Sequence, residues 1–236
     1  MTVGIMQPYL LPYIGYWQLL KLVDVFVIYD NIEFSKSGWF HRNYFLIGGD
    51  KKLFTISLKK DSNSLDVINR FLAEDSEKQI QKTLMQIKSA YRKAPYFDTV
   101  YPILQDIFSN KEKNLFGYIF FSIEKICQYL GINTKIVRSS NIKINHNLKA
   151  QAKVIAINKA LKAKAYINTI GGRGLYDKNS FSAEAIDLKF IEPKLIEYKQ
   201  FNTPFQSHMS IIDIMMFNSI EQISDMLENY TLIDEV

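Results

Sequence analysis

Apolar positions along this chain fall into two alternating patterns. Residues 3–6 form a short unbroken apolar run closed by Gln7-Pro8, which predicts a buried strand running into a loop. From about residue 13 to 23, Tyr16, Leu19, Leu20 and Val23 recur at three- and four-residue spacings, which predicts a helix. Residues 25–29 are a second fully apolar run, ended by Asp30. Strand, helix, strand with both strands apolar throughout is the pattern of a βαβ unit in a parallel sheet. Such strands turn their carboxyl ends toward a ligand crevice. Gln7, Pro8, Tyr9 and Asp30 are therefore expected on one rim.

Residues 43–58 read as a hairpin, with strands 44–47 and 53–56 joined across Gly48-Gly49-Asp50. From about 74 to 130 the pattern is helical, in segments 81–92, 97–109 and 111–130, and Gly131 suits a helix C-terminus. The α/β rhythm then returns: strand 134–137, helix 149–161, strand 165–168, a glycine-rich loop at 171–174 and strand 186–191. Helices 210–217 and 219–227 are expected to close the chain. The expected fold class is α/β: one Rossmann-like domain over residues 1–236. Its mostly parallel sheet is built from both ends of the chain, with a helical insertion at about 74–131 and a β-hairpin.

Composition removes several classes of function. With 236 residues, 47% apolar and 22% charged, the chain has ordinary globular content. A single cysteine, Cys127, excludes an internal disulfide framework and a thiolate zinc site, and three histidines leave little for a metal cluster. No metal site is expected. The formal charge is +5, with the lysines spread along the chain rather than gathered in a basic arm. Without a basic stripe or a DNA-binding motif, nucleic acid is not an expected partner. The opening residues lack a signal-peptide pattern and no window approaches 18 uninterrupted apolar residues, so a cytoplasmic location without a membrane span is expected.

Five segments carry candidate chemistry. In residues 7–16 two prolines fix a strand-to-helix connection and Gly15 permits close approach, either for core packing or for a phosphate or sugar at the helix start. In residues 38–43, Trp39 offers a flat face for a sugar or base, and Arg42 can grip a phosphate or bridge Glu33 or Asp30. His41 lies between them. Arg138-Ser139-Ser140 follows a strand end, where a cation and two hydroxyls suit a phosphate. Gly171 to Asp177 could turn backbone amides toward an anion or form a plain tight turn, and it fits neither a P-loop nor a dinucleotide fingerprint. His208 precedes a helix for which Ser210 and Asp213 have capping spacing. Cys127 shares an apolar helical stripe with Ile123, Ile126 and Leu130, the setting of a core thiol.

Taken in order, residues 7–16, 25–30, Gly38-Trp39 with Arg42-Asn43, 91–97, 138–140, 171–177 and 210–217 resemble the WbqC-like family of bacteria. The resemblance implies a place in O-antigen and other surface-polysaccharide biosynthesis. It further implies acylation or aminoacylation, such as glycylation, of an amino sugar on a nucleotide carrier. The expected reaction is N-acyl or N-aminoacyl transfer, with His208, His41 and Asp30, in that order, as candidate catalytic bases. Arg42, Arg138 and Arg173 are expected at a pyrophosphate, and Trp39, Tyr9 and Tyr13 around the base or sugar. Gln7, Asn43, Ser139, Gly172 and Tyr176 complete the expected substrate-binding set. No tightly bound cofactor is expected; the donor would be a thioester of coenzyme A or of an acyl or aminoacyl carrier protein. Two other readings stand beside this one. Residues 12–16 sit where nucleotidylyltransferases carry a His-x-Gly-His signature, with tyrosines in place of both histidines, which leaves an ATP-dependent adenylating ligase. A non-catalytic partner that binds a sugar nucleotide is the third.

Overall fold

The computed structural model describes residues 1–62, 64–201 and 204–234. The N-terminal βαβ unit forms as expected: β1 (Thr2–Met6), α1 (Ile14–Leu22) and β2 (Val25–Ile28). Val25 and Val27 point to one face of the sheet, Phe26 and Ile28 to the other, and all four are buried in separate apolar clusters. A strand covered on both faces has no polar side to show, which is why β2 reads as a continuous apolar run. Gly4 in β1 admits α1 closely: a Cβ there would sit 3.3 Å from Leu19 and Val23 side-chain atoms.

The hairpin is β3 (Arg42–Ile47) with β4 (Asp50–Thr55). Its two-residue turn is Gly48-Gly49, with φ of 62° and 93°, a conformation that suits the strand twist and favours glycine. Sequence pattern starts the second strand at 53, whereas β4 starts at Asp50. Asp50, Lys51 and Lys52 are exposed and leave no apolar signal.

Helices α2 (Ser76–Tyr91), α3 (Phe97–Phe108) and α4 (Leu115–Leu130) follow. Asn114 caps α4 by accepting from Gly117 N, and Gly131 ends it at φ 66°. The chain then re-enters the sheet through β5 (Lys135–Arg138), α5 (Ala150–Ala160), β6 (Ala165–Thr169), α6 (Lys178–Ser182) and β7 (Asp187–Pro193). Helices α7 (Ile211–Phe217) and α8 (Ile220–Leu227) come next. They do not close the chain, because a further strand, β8 (Tyr230–Asp234), pairs with β7. This strand is largely exposed along the sheet edge, so its pattern carries little sign of burial. The six-stranded sheet has the order β5-β2-β1-β6-β7-β8, parallel except for the last pair. It is a mostly parallel sheet flanked by helices, beside a separate antiparallel hairpin. Among the described residues no helix is long and apolar enough to cross a membrane.

Two local details refine the sequence pattern. Ser210 does cap α7, accepting from Ile212 N, but Asp213 is not its capping partner. Its fully buried carboxylate instead accepts from Tyr91 Oη (2.7 Å), Tyr198 Oη (2.6 Å) and Gln200 Nε2 (2.7 Å). At the end of α6, Ala185 N bonds to Ser182 O and Ile186 N to Phe181 O, with Ala185 at φ 56°. This is a Schellman motif with alanine where glycine avoids the Cβ clash. Relief of about 1–2 kcal/mol of left-handed strain, less about 0.4–1 kcal/mol for the freer unfolded chain, is expected to leave Ala185→Gly more stable by about 0.5–1 kcal/mol, read as a melting temperature roughly 1–4 °C higher. An unchanged or lower value would refute the strain.

Candidate functional site

The carboxyl ends of β1, β2 and β6 open into a cleft of ≈ 1120 Å³. β1 pairs with β2 on one side and β6 on the other, so the chain leaves this edge toward both faces of the sheet. Parallel sheets hold ligands at such a switch point. Of the residues expected at a site, the fold brings Gln7, Tyr9, Tyr13, Trp39, Asn43, Gly172, Tyr176 and His208 to this cleft.

Each is held by local chemistry. Tyr9 Oη donates to Gln7 Oε1 at 3.1 Å, and its ring packs edge-on to Phe40. The Asn43 amide donates to Leu10 O (2.9 Å) and Leu11 O (2.7 Å), pinning a turn in which Leu11 adopts φ 47°. Gly15 admits neither a chain nor a ligand but the Tyr13 ring, whose Oη would lie 2.4 Å from a Cβ at that position. Gly172 likewise leaves room for the Asn168 amide, 2.5 Å from where a Cβ would be. Burial raises the pKa of the Tyr9 and Tyr13 phenols, so both stay neutral donors near pH 7. His208 is exposed at φ 53°, its Nδ1 3.0 Å from Ser207 Oγ and its ring beside Tyr13.

The other expected residues do not line the cleft. Arg42 donates to Gly38 O at 3.1 Å and to Ser37 O, and its guanidinium lies over Trp39, so it braces the turn that presents the indole. Arg138 pairs in register with Ile28 and shares its face of the sheet, where the guanidinium lies over Phe116 and Phe120 of α4. Arg173 is exposed on a 3-10 turn, Ile170–Leu175, where a loop was expected. His41 is partly buried, and among the described residues its Nδ1 has no partner. Burial, Arg42 and Arg70 push its pKa down to about 4, which keeps the ring neutral. Asp30 is fully buried beneath the cleft, accepting from Asn31 N (3.1 Å), Ser140 N (2.9 Å) and Ser140 Oγ (2.6 Å). Ser139 is buried against it, with Oγ 2.8 Å from Asp30 Oδ1. Cys127 lies in the helical core, where burial pushes the thiol up to about 12.

In place of the arginines the cleft has the N-terminus of α5. Lys149 caps this helix without a side-chain bond, Ala150 enters it at φ 45°, and Lys149, Ala150, Gln151 and Lys153 line the cleft. Lys153 is only 5% exposed; its Nζ donates to Asn31 O at 3.3 Å and sits over the Tyr29 ring. Burial pulls its pKa down against the upward pull of Asp66 and Asp30. Carboxylates enter from Glu33 and Asp66, on segments joined by an antiparallel bridge. His146 precedes α5, its Nδ1 2.9 Å from the Asn31 amide. Sequence reasoning missed Asn31, His146 and Lys153. A signal for Lys153 exists, since it shares a helical stripe with Val154 and Ile157 and is buried with them. Among the described residues no three His, Cys, Asp or Glu side chains group to hold a metal ion.

Residues 7–225 match the family model described as the WbqC-like protein family. The chain is also 23% identical over 215 residues to the uncharacterized protein Rv1507c of Mycobacterium tuberculosis, covering 90% of this chain and 92% of that protein. No solved structure matches it significantly.

Proposed function

We propose an N-acyl or N-aminoacyl transferase activity on a nucleotide-linked amino sugar for this chain, which belongs to the WbqC-like protein family. The observation that carries the reading is the mixed charge of one cleft. Lys149, Lys153 and the first turn of α5, whose amides have no partner within the helix, suit a pyrophosphate. Glu33 and Asp66 suit an amine, and Tyr9, Tyr13 and Trp39 offer flat faces for a base or sugar ring. A substrate that is anionic at one end and carries an amine at the other fits all three features.

The amine must be neutral to attack, which calls for a proton acceptor in the cleft. Two imidazoles line it, His146 and His208, whereas His41 and Asp30 do not. No cysteine lines it, and Cys127 is held as a thiol in the core. The reading therefore takes direct transfer from a thioester, of coenzyme A or of a carrier protein, in surface-polysaccharide biosynthesis.

Thermal shift tests the substrate class. A nucleotide-linked 3- or 4-amino sugar at 100 times its dissociation constant is expected to add about 2.7 kcal/mol, a rise of roughly 5–11 °C. The bare nucleotide and the N-acetylated sugar nucleotide are expected to give smaller shifts, because neither offers an amine to Glu33 and Asp66. Equal shifts from amine and amide would sink the amino-sugar reading. Stabilisation by ATP alone, with label exchange between pyrophosphate and ATP, would replace it with an adenylating ligase.

A further inference from the structure

A line of four polar side chains runs from beneath the cleft to its mouth. It starts at the fully buried Asp30 carboxylate. Ser139 Oγ lies 2.8 Å from Asp30 Oδ1 and 2.6 Å from the Asn31 side-chain amide, whose Oδ1 is placed at that end. Its Nδ2 is placed at the other end, 2.9 Å from His146 Nδ1. A serine hydroxyl carries one proton and cannot donate to both neighbours. The charged carboxylate is the stronger acceptor and takes it. Ser139 Oγ must then accept from Asn31, which calls for the amide's O and N to exchange places, a flip that keeps its shape and turns its NH2 toward the serine and its carbonyl toward the histidine. That carbonyl needs a donor, and His146 Nδ1 can supply one only as N–H. Every contact in the line is then satisfied, with each group donating toward Asp30. In the opposite polarity, two lone pairs would face each other between Ser139 and Asp30.

We propose that His146 is the proton acceptor of the cleft, held by Asp30, Ser139 and Asn31 in the Nδ1–H form that leaves the Nε2 lone pair free. A histidine is commonly oriented through the hydrogen bond of its second nitrogen. Asn31, Ser139 and Asp30 are positioning residues in this scheme. Among the described residues, the polar partner of His208 is its neighbour Ser207. The identity of the proton donor rests on the transferase reading. There the substrate amine attacks the thioester carbonyl and the C–N bond forms. His146 Nε2 takes the proton from the nitrogen, the C–S bond breaks, and the departing thiolate receives that proton. The tautomer itself does not depend on that reading.

Histidine-15N NMR of the full chain tests it directly, because there are three histidines and His146→Gln identifies the signal. The expected result is Nδ1–H for neutral His146, moving toward the Nε2–H form usual for free imidazole in Asn31→Ala. An Nε2–H form in the wild-type protein would overturn the proposal with no variant needed. So would an Nδ1–H form unmoved by Asn31→Ala in a variant whose melting and remaining spectrum match wild type. In the transferase assay His146→Gln is expected to lower kcat by about 10²–10⁴-fold, with KM within about twofold, and near-wild-type kcat would refute the catalytic role. The tautomer shift without any consumption of amino-sugar nucleotide would support the line of side chains and count against the transferase alone.

Discussion

Replacing Asp213 with alanine is expected to lower stability by about 3–5 kcal/mol, among the largest effects of any single substitution here. Two tyrosine hydroxyls and the Gln200 amide converge on this carboxylate from α2 and from the segment between β7 and α7. Tyr91 Oη also accepts from Leu46 N, so the network reaches into the hairpin. Alanine would strand three donors away from water, at about 1–3 kcal/mol for each one left unpaired. Water entering the space would recover part of that. For a chain of this size the change is a fall of roughly 6–20 °C in melting temperature, or an equivalent shift in denaturant midpoint. A fall under about 2 °C would mean that the network is not structural. Burial outweighs the three donors and pushes the carboxyl's pKa above its ordinary value. The folded state then keeps its proton to higher pH than the unfolded chain. Stability is therefore expected to fall as pH rises from the ordinary carboxylate range through the folded pKa, a slope that Asp213→Asn should lack.

Lys153→Met is expected to act on the ligand rather than the fold. A charge-assisted bond to a phosphate is worth about 1.5–3 kcal/mol, so affinity for the proposed nucleotide-linked substrate should drop roughly 10–150-fold, read by calorimetry or titrated thermal shift. The unliganded variant should keep its stability within about 1 kcal/mol of wild type, because an apolar group of similar volume replaces a buried cation. The pH dependence has the opposite sign to that of Asp213. Burial lowers the lysine's folded pKa below its ordinary 10.5, so the unfolded chain binds the proton more tightly. Wild-type stability should rise relative to Lys153→Met as pH climbs through that window toward 10.5. Unchanged nucleotide affinity in the variant would remove Lys153 from the anion site.

The sequence was most readable where burial leaves a pattern. The apolar runs of β1 and β2 disclose a parallel sheet, and the parallel sheet discloses which strand ends form a rim, so Gln7 and Tyr9 could be assigned to the cleft. Asp50 to Lys52 and β8 lie exposed, and an exposed strand has no face that must be apolar. The arginines illustrate a different limit. Arg138 has the right chemistry at the right end of β5, but alternation along the strand turns it toward Phe116 and Phe120, and that parity follows from a register with β2 that only the fold reveals. His146 and Asn31 are 115 residues apart in sequence, and no local spacing predicts their contact.

The order of strands also sets a schedule for making the protein. Val3 pairs with Val25 on one side and with Tyr166 on the other. On a ribosome adding about 5–20 residues per second, the second partner follows the first strand by roughly 8–30 s. For that interval the nascent chain carries an apolar strand with one edge unpaired, the kind of surface that chaperones shield. The cleft cannot close before β6 is made, because its earliest and later-made walls stand together, so a release that stops short of β6 yields a chain with its first strand made but this cleft unfinished.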